Sequence, residues 1–148
     1  LSPLAGSGIL QIRPEQISQV NEHSFNKPDT TMSNPVIERF GTTRRYSDVV
    51  VHASTIYLVE VPATLGADIT TQTQEVLASV EQLLKKAGSD KSRLLIVTLY
   101  LRDMADYNAM NTVWDAWVPE GTAPTRACVE ARLAHPDWRI EAVVTAAR

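Results

Sequence analysis

A long helical pattern in the middle of the chain constrains the fold more than any other feature. Side chains that suit a buried helix face recur there at three- and four-residue spacing, at Ile69, Thr73, Val76, Leu77, Val80, Leu83 and Leu84. Asp68 is placed to cap the first turn, while Lys85, Lys86 and Gly88 suit the last turn and its end. A helix with one apolar face needs a second layer on which to pack.

Strand patterns flank this helix on both sides. Runs rich in β-branched and aromatic residues predict strands over residues 36–40, 48–53, 56–61, 93–101, 125–133 and 138–146, with a turn at Ser54 and Thr55. A second helical stripe, capped by Asp103, comprises Tyr107, Met110, Val113, Trp114 and Trp117. The order β-β-β-α-β-α-β-β predicts an α+β fold, with a mixed, mainly antiparallel sheet and both helices on one face.

The other sheet face is predicted to be uncovered and to carry charge as well as apolar side chains. We expect Arg126, Glu130, Arg139 and Glu141 there, together with Val143. Such a face is neither a core nor an ordinary solvent surface. It therefore predicts association between copies of the chain.

Composition and charge exclude several classes of protein. A chain of 148 residues with 44% hydrophobic residues fits one globular domain. A net charge of −3 argues against binding to nucleic-acid phosphates, since such proteins carry basic surfaces. The longest apolar run is too short to span a bilayer. A single cysteine cannot form an internal disulfide, so we expect a reducing, cytoplasmic location.

The first part of the chain differs from the rest. Residues 1–31 precede Met32 and lack the basic region and apolar core of a signal peptide. We expect a leader over residues 1–31, added during expression, and a single domain over residues 32–148. The alternative is a native extension that docks on the domain through its apolar side chains.

One predicted strand carries the strongest candidate site residues. Arg126 and the single cysteine, Cys128, lie two residues apart and so share a strand face. A planar guanidinium at the start of this strand can hold a carboxylate with two parallel hydrogen bonds. The alternative is a structural ion pair with Glu130 or Glu141, which from the residues alone is the commoner role.

The segments PTRACVE (124–130) and WRIEAVV (138–144) also carry a family resemblance. With the helix segment NTVWDAW (111–117), they resemble the reactive intermediate deaminase family, RidA/YjgF, in its small bacterial branch. The resemblance covers roughly the last four fifths of the chain. It implies a chorismate-mutase-like fold and a homotrimer built around a central barrel, with active clefts at the subunit interfaces.

The same resemblance implies an activity and assigns residues to it. Its members are enamine or imine deaminases, which hydrolyse reactive 2-imino acids, such as the iminoalanine formed from 2-aminoacrylate, to 2-oxo acids and ammonia. Arg126 is then expected to bind the substrate carboxylate and Glu141 to position the attacking water. Cys128 lines the cleft through its backbone carbonyl rather than acting as a nucleophile. Tyr46 approaches the ligand from the adjacent subunit, although an interface aromatic is an equally good interpretation.

One position departs from the family pattern. Where the family has a hydroxyl residue and glycine after the third strand, this chain has Val59 and Glu60. A carboxylate in the cleft would compete for Arg126 or favour a substrate with a positive amine. The departure therefore bears on the substrate range rather than on the fold.

Two other functions remain as alternatives. One is a non-catalytic ligand-binding or chaperone-like trimer of the same fold, which the departure at Glu60 favours. The other is a ribonuclease, against which the acidic charge and the lack of a catalytic histidine pair both count. No cluster with metal-ligand spacing and no phosphate-binding glycine loop occurs in the sequence, so we expect neither a metal nor an organic cofactor.

Overall fold

The structure is a computed structural model that describes residues 34–148. Six strands are present in this range: β1 (Ile37–Phe40), β2 (Val49–His52), β3 (Thr55–Glu60), β4 (Leu94–Leu101), β5 (Thr125–Glu130) and β6 (Ile140–Ala147). The two helices are α1 (Ile69–Lys86) and α2 (Tyr107–Trp117). Their order confirms the predicted β-β-β-α-β-α-β-β sequence. The predicted leader, residues 1–31, lies outside the described residues, as do the first two residues of the predicted domain, Met32 and Ser33.

All six strands form one sheet in the order β1-β2-β3-β6-β4-β5. Neighbouring strands are antiparallel except β4 and β5, which run parallel and pair Val97 with Arg126 and Leu99 with Cys128. This confirms the predicted mixed, mainly antiparallel sheet. Because β5 lies at the edge of the described sheet, one side of its backbone has no strand partner there.

Helix α1 forms where the sequence predicts it. The Asp68 carboxylate accepts a 2.8 Å hydrogen bond from the Thr71 amide and so caps the first turn. Lys85 and Lys86 lie in the last turn, where they oppose the negative end of the helix dipole. Gly88 then adopts a φ of +81°, a left-handed conformation that glycine allows at little cost.

Both helices pack on the same sheet face. Along β6, Ile140, Ala142, Val144 and Ala146 are buried, whereas the residues between them are half-buried. The core between this face and the helices contains Ile56, Leu58, Val76, Val80, Leu84, Val97, Leu99, Leu101, Met110 and Trp114. The opposite face has no covering layer within residues 34–148 and exposes Tyr57, Val59, Ile96 and Val129.

Three local predictions were wrong in detail. Strand β5 ends at Glu130 rather than at residue 133, because its partner β4 ends at Leu101, whose carbonyl accepts the last bond, from the Ala131 amide. The β2–β3 turn lies at Ala53 and Ser54 instead of one residue later. Asp103 caps a short 3₁₀ turn, Met104–Asp106, which leads into α2.

Candidate functional site

Four of the predicted site residues line a single cleft. A cavity of about 570 Å³ lies near the end of β3 and the start of β6, and it is lined by Tyr46, Val59, Glu60 and Glu141. Ser47, Asp48, Val61, Ala134 and Trp138 complete its lining. We call this cavity the acidic cleft, because three carboxylates line it and none of the described lining residues is basic.

The Glu60 carboxyl in the acidic cleft has a shifted pKa. Burial raises the pKa of its carboxyl above the ordinary value, and the nearby Asp48 carboxylate adds to the increase. The hydroxyl of Ser79, on α1, acts in the opposite direction. No basic side chain in the described part of the chain forms an ion pair with Glu60. The carboxyl is therefore held in an environment that disfavours its charged form.

A glycine makes room for the neighbouring carboxylate. Gly41 has a φ of +62°, and a Cβ atom added there would lie 1.8 Å from Oδ2 of Asp48. Only a residue without a side chain lets the Asp48 carboxylate pack against the backbone at this point. The position of Asp48 beside Glu60 therefore depends on Gly41.

Arg126 and Cys128 lie away from the acidic cleft. Their register with Val97 and Leu99 places them on the helix-covered face, whereas Glu141 lies on the uncovered face. The prediction that Arg126, Glu130 and Glu141 share the uncovered face is therefore wrong for Arg126 and Glu130. The apolar members of β5, such as Val129, face outward instead.

Two further residues, Arg139 and Val143, are predicted from the sequence to lie on the uncovered face. Val143 is half-buried and alternates with the covered residues of β6, as predicted. Arg139 instead binds Asp106, through Nε to Oδ2 at 2.9 Å and Nη2 to Oδ1 at 2.7 Å. This contact with Asp106 raises the pKa of Arg139 further above its already high ordinary value. Arg139 thus joins the start of β6 to the turn before α2.

The guanidinium of Arg126 lies against Trp114 of α2. Its Cζ atom is 5.0 Å from the centre of the indole ring, within the range of a cation–π contact. Neither predicted ion pair forms: Glu130 accepts a hydrogen bond from the Met104 amide, and no carboxylate among residues 34–148 lies in salt-bridge range of Arg126. We call Arg126, Cys128 and Trp114 the arginine platform.

Cys128 is partly buried and packs against the core. Burial raises the pKa of its thiol, an effect that the Arg126 charge only partly opposes. The Ala131 amide bonds to β4. Because bonding sides alternate along a parallel strand, the backbone groups of Cys128 point toward the free edge. Its carbonyl is available there to a ligand or a second chain.

Sequence reasoning missed Asp48, Trp114 and Trp138 as site residues. Trp114 was assigned only to the apolar stripe of α2, and its contact with Arg126 depends on how α2 crosses β5. Asp48 was read only as the first residue of a strand. Helical or strand periodicity reports burial, so it carried no signal for these three roles.

Residues 34–148 offer neither a metal site nor a membrane-spanning helix. No group of three or more His, Cys, Asp or Glu side chains in residues 34–148 has the arrangement of a metal site. None of the helices described is both long and apolar enough to cross a membrane.

Comparison with known proteins identifies the family. A family model described as Endoribonuclease L-PSP matches residues 36–148. A RutC family protein from Haemophilus ducreyi is 45% identical over 113 residues, which cover 76% of this chain and 97% of the relative. The crystal structure of a YjgF family member from Neisseria meningitidis is 48% identical, with a TM-score of 0.76, and covers 78% of this chain and 98% of its own.

A more distant relative carries a specific activity in its name. The 3-aminoacrylate deaminase RutC from Acinetobacter baylyi is 38% identical over 74 residues, which cover 50% of this chain and 58% of the relative. The resemblance predicted from the C-terminal segments is confirmed at the level of the family. This protein belongs to the endoribonuclease L-PSP family, which includes the YjgF and RutC proteins.

Proposed function

We propose that this protein is a deaminase that hydrolyses reactive 2-imino acids to 2-oxo acids and ammonia. Iminoalanine, the imine tautomer of 2-aminoacrylate, is the simplest substrate of this class. The name of the Acinetobacter baylyi relative supports the class of reaction, since 3-aminoacrylate is also an enamine acid. The single cysteine fits a reducing cytoplasm as the place where the enzyme works.

The free guanidinium of Arg126 is the observation that carries this proposal. It is partly buried on Trp114, yet it has no carboxylate partner among residues 34–148. A desolvated guanidinium without a counter-ion is suited to a planar carboxylate from a ligand. A 2-imino acid supplies that carboxylate next to its reactive carbon.

We further propose that the site is completed by a second copy of the chain. Glu141 and the arginine platform lie on opposite sheet faces, so one copy does not bring Arg126 to Glu141. The uncovered face has the character of an interface, since Tyr57, Val59 and Ile96 are 46%, 48% and 48% exposed there. A homotrimer would cover this face and set the platform of one subunit against the cleft of the next.

In this arrangement the two halves divide the chemistry. The platform binds the carboxylate and fixes the imine carbon over the acidic cleft. Glu141 accepts a proton from water as the water oxygen bonds to the carbon of the protonated imine, giving a neutral carbinolamine. Glu141 then passes that proton to the amino group and takes the hydroxyl proton as the carbon–nitrogen bond breaks, so that the 2-oxo acid and ammonia form. The released ammonia takes the last proton from Glu141 and leaves as ammonium.

The remaining predicted residues complete this site. The outward carbonyl of Cys128 offers an acceptor to the imine nitrogen or to the water. Tyr46 is 64% exposed in one copy, and it would close the cleft over the ligand bound by the next subunit's platform. Val59 and Glu60 line the wall where this chain departs from its family pattern.

The direct test is the loss of iminoalanine absorbance, with the imine generated in situ by an amino acid oxidase. We expect the wild type to accelerate the loss and Arg126→Ala to abolish the acceleration. Full hydrolysis by Arg126→Ala would contradict the carboxylate-binding role.

A second function, a ligand-binding trimer without turnover, is favoured by one observation. Glu60 places a half-buried carboxyl with a raised pKa in the cleft, where its family pattern has a hydroxyl residue and glycine. In that case the intact oligomer would bind 2-oxo acids but leave the imine lifetime unchanged, and Glu60→Gly would be the next variant to assay.

Ribonuclease activity has weaker support. The family description names an endoribonuclease, but the net charge of −3 offers little attraction for RNA. Failure to bind RNA at any salt concentration would remove this function.

A further inference from the structure

We infer that Asn111 is a positioning residue that orients the guanidinium of Arg126 when a carboxylate binds. The inference rests on the proposed function, because it assigns a task to a residue behind the proposed carboxylate-binding group. It also gives a role to the first residue of the NTVWDAW segment, which the proposed chemistry leaves unexplained.

Two buried polar side-chain atoms within residues 34–148 lack hydrogen-bond partners. They are Oδ1 of Asn111 and Nη1 of Arg126. One is an acceptor and the other a donor, so each can supply what the other lacks. Most buried polar groups in native proteins are paired, and each exception calls for a reason.

Helix geometry places Asn111 on the flank of α2 that faces β5. Trp117 marks the opposite flank, since its indole nitrogen donates to Glu81 of α1 at 3.3 Å. Successive helix residues are rotated by about 100°, so Asn111 lies about 120° around the helix from Trp117. Met110, fully buried, lies between these two directions.

Trp114 connects this flank to Arg126. It follows Asn111 by three residues and therefore shares its side of the helix. Its ring lies 5.0 Å from the Arg126 guanidinium. The buried nitrogen of Arg126 and the buried oxygen of Asn111 thus belong to the same layer between α2 and β5.

A rotation of the guanidinium that brings Nη1 to Oδ1 of Asn111 would satisfy both atoms. With Nη1 bonded to Asn111 Oδ1 and the ring of Trp114 beneath, the other nitrogens of the fork face outward in a fixed plane. A carboxylate then meets a pre-oriented donor pair, which lowers the entropy lost on binding. Asn111 acts through Arg126 and does not touch the substrate.

The test compares Asn111→Ala and Asn111→Asp with Asn108→Ala, an exposed residue of the same helix, as control. For Asn111→Ala we expect KM for iminoalanine and Kd for 2-oxobutanoate, measured by calorimetry, to rise about tenfold, with a smaller change in kcat. Asn108→Ala should leave both unchanged.

Asn111→Asp separates positioning from packing. The two side chains have nearly the same shape, so a residue that only fills space would tolerate this change better than alanine. We expect the opposite, because the new carboxylate would pair with Arg126 and compete with the substrate's own. A Kd for Asn111→Asp lower than that for Asn111→Ala would overturn the inference.

A double variant keeps the inference separate from the proposed function. Once Arg126 is alanine, adding Asn111→Ala should change Kd no further, whereas independent roles would give additive losses. A wild type that binds 2-oxobutanoate without turnover contradicts the deaminase but still tests Asn111 through Kd. A wild type that binds no 2-oxo acid overturns both.

Discussion

The acidic cleft and the arginine platform differ in charge, in position on the sheet and in completeness. The cleft brings three carboxylates together without a basic neighbour among its described lining residues. The platform holds one guanidinium without a carboxylate partner in residues 34–148. Each region thus lacks the charge that the other provides.

The two regions also differ in how they are built. The cleft is formed by the ends of β3, the start of β6 and the loops beside them, so its shape depends on turns and on Gly41. The platform is formed by an edge strand and one helix, in which Trp114 is buried in the core. We therefore expect changes in the platform to act on binding and changes in the cleft to act on catalysis and pH response.

The largest effect should come from Arg126→Ala. Two hydrogen bonds to a charged carboxylate would be lost, which predicts a fall of about 10²–10³-fold in kcat/KM for iminoalanine. The free energy of unfolding should change little, since Arg126 makes no hydrogen bond or ion pair within the described range. Arg132→Ala, a matched loss of an exposed arginine, should retain activity. Equal losses in both variants would mean that only overall charge matters.

Glu141→Gln should impair the acidic cleft by lowering turnover rather than binding. The amide keeps the shape of the side chain but accepts no proton, so kcat should fall by about 10²-fold or more. Kd for 2-oxobutanoate should stay close to that of the wild type, because Arg126 is untouched. Steady-state kinetics and calorimetry on the same preparation check both points, and a selective rise in Kd would contradict the division of roles.

Asp106→Asn tests the contact that joins the start of β6 to the turn before α2. It would leave Arg139, 30% exposed, without its ionic partner on the turn before α2. We expect a loss of about 1–3 kcal/mol in the free energy of unfolding, measured in urea. Asp115→Asn, on the exposed face of α2, is the control and should be neutral. Equal stability in the two variants would show that the Asp106–Arg139 pair is dispensable.

The smallest effect should be the pH response of Glu60. Because its pKa is raised in the folded state, the folded protein retains this proton at pH values where the unfolded chain has lost it. The protonated Glu60 side chain therefore stabilises the folded state below the ordinary pKa of 4.5. This stabilisation is lost as the pH rises through the raised pKa of the folded protein. Glu60→Gln should therefore be more stable than the wild type at pH 7, with the difference shrinking toward pH 4. The opposite trend in urea unfolding would show that Glu60 is stabilised as a carboxylate.

The sequence predicts the helices and strands well, but it predicts poorly which face of the sheet a side chain occupies. Helix α1 was placed with both ends and its cap, because Asp68 and Gly88 carry local signals that act within a few residues. The predicted face of Arg126 is wrong, because Arg126 alternates with the apolar Ala127 and Val129, and apolar strand residues usually face the core. In the structure these apolar residues face outward, on the side proposed to form an interface.

Local patterns also fail where the site depends on distant contacts. Tyr46, Glu60 and Glu141 were selected from family resemblance, and the structure brings them to one cleft. The stacking of Arg126 on Trp114 requires the crossing of α2 over β5, which no short segment encodes. Periodicity indicates that a residue is buried but not which partner it meets.

We propose that one active site takes its arginine platform and its acidic cleft from different subunits. The most direct test mixes equal amounts of the Arg126→Ala and Glu141→Gln variants, denatures and refolds them together, and measures the loss of iminoalanine. In random oligomers each interface has a one-in-four chance of combining an intact platform with an intact cleft, so activity should recover to about a quarter of the wild-type value. A refolded mixture no more active than the separate variants would contradict the account.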